Sequence, residues 1–372
     1  MRSTRVEGSA LVKTLSAGLV ITLALCLVAG SLYQWSLQQA EQEQFPPPGQ
    51  MFDIDGLSLH LDCRGQGTPT IVIESGLMSG SASWRLVHEP LASLTRVCAY
   101  DRPGMDWSEP SDELLRADLV AERLHRLLAA GGVNDQKVLM GMSAGGVFVR
   151  EYYQQHPQDV VGMVLVDSSH EQQGRRLPEI NGIIDLSAVL RACSWMQPVG
   201  IIRAFDLLDG SIIPEQLEGD FASLMRAHAY QSHTCEAMLN ESEGFELEVA
   251  DTQPPQTLGD LPLLVLSQGK LPADDELEGL SQEQADNLVM RWHELQLELA
   301  ALSTDSRRVI ARESGHMIHL EQPELLISEV SRLVKELQHP QQLRQSQQPE
   351  LSSAAHISGD PAGTPPGWDQ IH

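Results

Sequence analysis

Gly141, Met142, Ser143, Ala144 and Gly145 stand in the order G-x-S-x-G, and that spacing has a physical cause. A strand that turns sharply into a helix forces the central residue into a strained backbone state, and bulk two positions to either side collides with the turn. The turn lifts the Ser143 hydroxyl clear and aims a helix N-terminus at it, where developing negative charge is stabilised. Residues 138–140 read as the strand before it, and Val147, Phe148, Tyr152 and Tyr153 as the helix after it. A serine alone is a poor nucleophile and needs an imidazole to take its proton. Two histidines follow the late apolar run 308–311: His316, in a Ser-Gly-His turn, and His319, three residues on, where a helix begins. The imidazole in turn needs a buried acid to fix its tautomer. Asp167 directly follows the run 161–166, whereas Asp274 and Asp275 lie in a soft acidic loop beyond the run 262–267. A strand end holds a carboxylate better than a loop does, so Asp167 is assigned here, with Asp274 or Asp275 as the alternative acid. The competing role for Asp167 is structural, capping backbone groups of Ser168 or Ser169.

The elements that position these residues alternate. Strands are expected at 58–63, 70–74, 96–100, 137–141, 161–166, 262–267 and 308–311, mostly β-branched or Leu-rich and bounded by Gly, Pro or Asp. Helical spacing of Leu, Val and Ala falls between them, as in 114–128. Strand and helix in succession predict an α/β fold, a mostly parallel open sheet with helices on both faces. Residues 170–260 break the alternation with apolar segments near 183–190, 201–208 and 221–229 and no good strand. Ninety residues are too many for a loop, and a helical cap insertion over one end of the sheet is expected there.

The chain has 372 residues and a formal charge of −26, with 5% aromatic residues. That surplus repels phosphate backbones and offers few stacking platforms, which excludes nucleic acid as a partner. The N-terminus is the local exception. Residues 1–14 form a basic segment with Arg2, Arg5 and Lys13 against Glu7, and 15–33 run without a charge. About 20 apolar residues suffice for a helix to cross a bilayer. Tyr33 and Trp35 stand where the run ends, as interfacial aromatics do. The segment is read as a transmembrane signal-anchor, basic flank inside and catalytic domain exported to the periplasmic or extracellular side. The alternative is a cleaved signal peptide with Val28 and Gly30 before the cut, and a secreted product. A polar, Pro-rich spacer at 34–50 ends in Phe45-Pro46-Pro47-Pro48-Gly49, the folded domain spans 51–338, and 339–372 reads as a disordered tail rich in Gln, Ser and Pro.

No Gly-rich phosphate loop is present, so no cofactor is expected. His293-Glu294 starts like a zinc-protease helix, but Leu297 stands where the second histidine belongs. The spacing of His228, His233 and Cys235 does not place them on one helical face, and no metal is expected. Nothing in the sequence identifies a protein partner.

Several motifs in one order give the stretch 51–338 a family likeness. Glu74-Ser75-Gly76-Leu77 follows the run 70–74, Tyr100-Asp101-Arg102-Pro103-Gly104 with Trp107-Ser108 follows the next, then the serine turn, then Ser314-Gly315-His316 ahead of Gln322-Pro323-Glu324. The sequence resembles an α/β-hydrolase. It departs from the family in lacking the common His-Gly pair of the oxyanion loop and in carrying Asp106 where a second Gly is usual. The resemblance implies that His316, not His319, is the base, and that backbone N–H groups of Ala144 and Leu77 form the oxyanion hole. In most of the family the acid follows the penultimate strand; in some it stands where Asp167 does. Serine as nucleophile sets the chain apart from the haloalkane and epoxide hydrolases of this fold. The implied activity is hydrolysis of a carboxylic ester or related acyl bond. Met196, Met225 and the apolar cap segments point to a small-molecule, lipophilic acyl substrate. Peptidase, thioesterase or acyltransferase chemistry uses the same triad, and a binding protein on the hydrolase fold is the alternative of another class. The family's sheet places its second and fourth strands side by side, which brings Cys63 and Cys98 within bridging range, and Cys193 and Cys235 can pair within the insertion. Exported thiols meet an oxidising environment.

Overall fold

The computed structural model describes residues 3–177, 186–208, 217–250, 254–270 and 280–339. Eight strands form one sheet: β1 (Gln50–Ile54), β2 (Leu57–Arg64), β3 (Thr70–Glu74), β4 (Val97–Tyr100), β5 (Lys137–Met142), β6 (Val160–Val166), β7 (Leu263–Gln268) and β8 (Ser306–Ala311). Their order is β1-β2-β4-β3-β5-β6-β7-β8. β1 and β2 run antiparallel to their neighbours, and from β4 to β8 the sheet is parallel.

Each strand sends alternate residues to opposite faces. Ile71, Ile73, Val97, Ala99, Val138, Met140, Val164 and Val166 share one core cluster, while Val72, Cys98, Tyr100, Leu139, Met163 and Leu165 share the other. Both faces are therefore covered, as a parallel sheet requires. α2 (Arg85–Ala92) and α12 (Pro323–Gln338) seal the first face; α3 (Ala117–Ala130), α4 (Ala144–Gln155) and α10 (Gln282–Ala300) seal the second. α3 does so through Ala121, Leu124, Leu127 and Leu128, spaced three and four apart. A short helix, α11 (Ile318–Glu321), precedes α12.

Between β6 and β7 lie α5 (Gln173–Arg176), α6 (Leu186–Met196), α7 (Ile201–Ala204), α8 (Gly219–Ala229) and α9 (Thr234–Ala250). This is the helical insertion expected over 170–260; part of the stretch 183–190 lies outside the described residues. Cys193 of α6 and Cys235 of α9 are joined by a disulfide, and Cys63 of β2 is joined to Cys98, its register partner on β4.

The structure differs from the sequence reading at the N-terminus. One apolar helix, α1 (Ser3–Gln44), runs through the apolar segment and continues into what composition presents as a spacer. Its polar end is held by the cap: Gln34 Nε2 donates to Tyr230 O at 2.6 Å, and Gln38 Oε1 accepts from Ser232 N at 3.1 Å. Glu41 pairs with Arg203. Only 45–49 lie outside helix and strand, and Gln50 already belongs to β1. The tail beyond 339 lies outside the described residues.

Candidate active site

β5 ends at Met142 and α4 begins at Ala144, leaving Ser143 between them at φ 52°, ψ −125°. That left-handed conformation is costly for a residue with a Cβ, and its surroundings enforce it. A Cβ on Gly141 would lie 2.4 Å from Gly145 O, and one on Gly145 would lie 2.4 Å from Glu74 O. The two glycines of the pentapeptide therefore let strand, helix and the end of β3 close on each other. Ser143 N donates to Val166 O at 3.1 Å, which ties the turn to the end of β6.

Asp167 follows Val166, the register partner of Met142, so acid and serine leave neighbouring strand ends. Its side chain is fully buried and its backbone is also at positive φ, 41°. Oδ2 lies 2.7 Å from His316 Nδ1. Oδ1 accepts from Gln268 N at 2.9 Å and from Trp292 Nε1 at 3.1 Å. A carboxylate only accepts, so His316 Nδ1 carries the proton and Nε2 keeps its lone pair. The side chain of His316 is 40% exposed. His319 has the opposite surroundings: buried, stacked on Trp84 at 4.4 Å, and without a hydrogen-bond partner on either ring nitrogen among the described residues. Burial, with the neighbouring His316, lowers its pKa to about 3, so it packs as a neutral ring. Asp274 and Asp275 lie outside the described residues.

Leu77 stands in the loop after β3. A Cβ on Gly76 would lie 3.3 Å from Ser143 Cβ, so this loop runs beside the serine. Arg102, buried, grips the loop from below: it donates to Ser75 O at 2.8 Å and to Gly76 O at 2.6 Å. In a trans peptide the C=O and N–H point opposite ways, so holding Gly76 O turns the Leu77 N–H away from Arg102. Arg102 is set by two carboxylates, Glu74 at 2.6 Å and Glu241 of α9 at 2.7 Å, and Glu241 also accepts from Met78 N at 2.7 Å. Burial raises the Glu74 pKa to about 7 against the pull of Arg102. Ala144 is the first residue of α4, where an N–H has no intrahelical acceptor. Asp106, in place of a glycine, keeps the positive φ of 39° and accepts from Ala82 N at 2.8 Å, so the departure preserves the turn; burial raises its pKa to about 6.

Trp292, Gln268 and Glu241 were invisible to sequence reasoning, because each acts across more than 100 residues of chain. A second His–Asp contact, His60 Nδ1 to Asp101 Oδ2 at 2.7 Å, is closed off: both are buried, and His60 Nε2 accepts from Gly49 N at 3.2 Å. Cys235 has its sulfur in the disulfide and offers no thiolate. Among the described residues, ligand atoms of His125, His156 and Asp159 lie within 4.8 Å of one another. They sit at the far end of α4 from Ser143, and Lys137 Nζ lies 3.7 Å from Asp159, where a cation would meet an ammonium. A recess of about 1350 Å³ opens near Thr68, Gln136, Pro262 and Ser306, at the strand starts. Chemistry in open α/β sheets belongs at the opposite, carboxyl ends, where Ser143 and Asp167 stand.

Similarity to known proteins agrees with this frame. The chain is 25% identical over 278 residues to an uncharacterized protein, YqjL, of Bacillus subtilis, covering 74% of this chain and 87% of that one. It is 26% identical over 287 residues to an AB hydrolase superfamily protein of Gibberella zeae, covering 72% and 86%. An epoxide hydrolase of Bacillus megaterium superposes with TM-score 0.57 at 15% identity, covering 77% of this chain and all of the other. An esterase of Thermogutta terrifontis does so with TM-score 0.51 at 18% identity, covering 75% and 94%. At such identities the structural likeness is one of fold. The family profile described as alpha/beta hydrolase matches residues 71–329, and the chain belongs to that family.

Proposed function

We propose that this hydrolase cleaves a carboxylic ester or related acyl bond with Ser143 as nucleophile, His316 as general base and Asp167 as the acid that orients it. The observation that carries the reading is the buried Asp167 carboxylate 2.7 Å from His316 Nδ1, one strand over from a serine in a strained strand-to-helix turn. Ser143 Oγ attacks the acyl carbon as His316 Nε2 takes its proton, and the oxyanion that forms is held by the N–H groups of Ala144 and Leu77. The imidazolium then protonates the leaving alcohol, and water repeats the sequence on the acyl-enzyme. We further read residues 15–33 as a membrane anchor that keeps the catalytic domain on the exported side, where both disulfides are at home. Intact mass of the membrane-extracted protein distinguishes this from a cleaved leader, which would remove the run.

A fluorophosphonate probe on the purified full-length protein, followed by an ester panel of graded acyl length, tests the chemistry. Ser143→Ala is expected to abolish labelling and to lower turnover by on the order of 10⁶. A wild-type protein that folds but never labels refutes the nucleophile and favours a binding protein on this fold.

A further inference from the structure

The cap touches α1 inside its apolar run. A Cβ on Gly30 would lie 2.2 Å from Val199 O, and one on Gly200 would lie 2.7 Å from Gly30 O and 3.4 Å from Tyr33 Cδ1. Gly30 precedes Tyr33, the last residue of the charge-free run, by about 4.5 Å along the helix. The corner between α6 and α7 therefore meets α1 at a level where the helix surface is still apolar. Nor is the joint loose, since the contacts of Gln34, Gln38 and Glu41 hold α1 to the cap for three further turns.

Around that corner the cap exposes large apolar side chains. Trp195 is four residues before Val199 and 79% exposed; Phe205 is five after Gly200 and 72% exposed. Val189 and Leu207 are half exposed as well, and on α1 Tyr33 and Trp35 are exposed at the same level. Among the described residues from α7 to Leu208, the charged side chains are paired. Asp206 pairs with Arg226 and accepts from Tyr230 Oη at 2.5 Å, and Arg203 is taken by Glu41. A surface that exposes a Trp and a Phe beside paired charges, fixed to a helix at its apolar level, matches elements that lie with their apolar side about 5–10 Å into a bilayer interface.

We propose that the α6–α7 corner of the cap, through Trp195 and Phe205, is a second membrane contact, seated in the lipid surface beside α1. The occupant is the bilayer itself, on the ground that the patch is continuous with the helix that enters it. This rests on the reading of 15–33 as an anchor. Its consequence is that the cap over the catalytic end of the sheet faces lipid, so the site draws on acyl substrates dissolved in the bilayer.

The test places the full-length protein in phosphatidylcholine nanodiscs containing a diazirine-bearing phosphatidylcholine, with cross-links mapped by peptide mass spectrometry. Cross-links are expected both in 15–33 and in 186–207. In the Trp195→Ser/Phe205→Ser double variant the cap cross-links should fall by about tenfold or more, as expected when two exposed aromatics no longer bury in lipid, while those of the helix persist as an internal standard. Cross-links confined to the helix overturn the proposal and leave the anchor standing. Cap cross-links undiminished in the double variant overturn the assignment to these side chains. No cross-links in the helix refute the anchor, and the proposal with it.

Discussion

In the proposed triad, Asp167→Asn isolates the step by which the carboxylate would make His316 a base. The wild-type carboxylate accepts three hydrogen bonds, two at Oδ1 from Gln268 N and Trp292 Nε1 and one at Oδ2 from His316 Nδ1. An amide has one oxygen. Placed at Oδ1 it satisfies both donors and turns its NH₂ toward His316; flipped, it strands two part-buried N–H groups, each at a cost of about 1 kcal/mol or more. The first orientation wins. An NH₂ facing Nδ1 forces that nitrogen to accept, which moves the imidazole proton to Nε2 and leaves nothing to deprotonate Ser143. Wrong-tautomer triads lose on the order of 10⁴ in turnover, equivalent to about 5.5 kcal/mol of barrier. Trp292→Phe removes one of the three bonds and keeps the charge, so its loss should be nearer tenfold, within the worth of one hydrogen bond to a charged group. Steady-state hydrolysis of an activated ester provides the assay, with near-ultraviolet circular dichroism to establish that each variant folds. A fall of less than tenfold in folded Asp167→Asn refutes the reasoning. A collapse in the Asp274→Asn/Asp275→Asn double variant instead transfers the role to that loop.

Three other outcomes follow from the buried groups. His319 stays neutral in the fold down to about pH 3 but binds a proton near pH 6.5 when unfolded, so its stability contribution is complete above pH 6.5 and is lost as pH falls. The slope is about 1.4 kcal/mol per pH unit, and His319→Phe, which retains a ring against Trp84, should flatten it in denaturant titrations at pH 6.5 and 4.5; an unchanged difference refutes the assignment. Glu241→Ala leaves Arg102 buried with one partner fewer and frees Met78 N, so unfolding should cost about 3 kcal/mol less, and kcat should fall more than KM rises because the Leu77 N–H loses its support; a KM effect alone contradicts that. Cys63→Ala/Cys98→Ala opens a disulfide spanning 35 residues, worth up to about 4 kcal/mol by chain entropy; an unchanged melting temperature would show that the bridge contributes nothing.

What the amino-acid sequence by itself determines is local or periodic. Runs such as 70–74 and 161–166 declare themselves as two-faced buried strands because every second residue must suit a different core, and the structure assigns Ile71 and Val72 to opposite clusters. The serine turn is legible because Gly141 and Gly145 answer a steric demand two residues away. β1 is not legible: Gln50–Ile54 is a largely exposed edge strand, and its half-buried pattern carries little signal. The helical state of 34–44 is equally hidden, since these polar residues pack against partners as far as 196 positions away. The acid shows the division most clearly. Sequence narrows it to Asp167, Asp274 or Asp275, but which carboxylate meets His316 depends on how β6 and the turn after β8 approach across 149 residues. The same holds for Trp292, for the Arg102–Glu241 clamp and for the cap corner against Gly30. Propensity and pattern act over a few residues, whereas a hydrogen bond between distant side chains exists only once the sheet has brought their elements together.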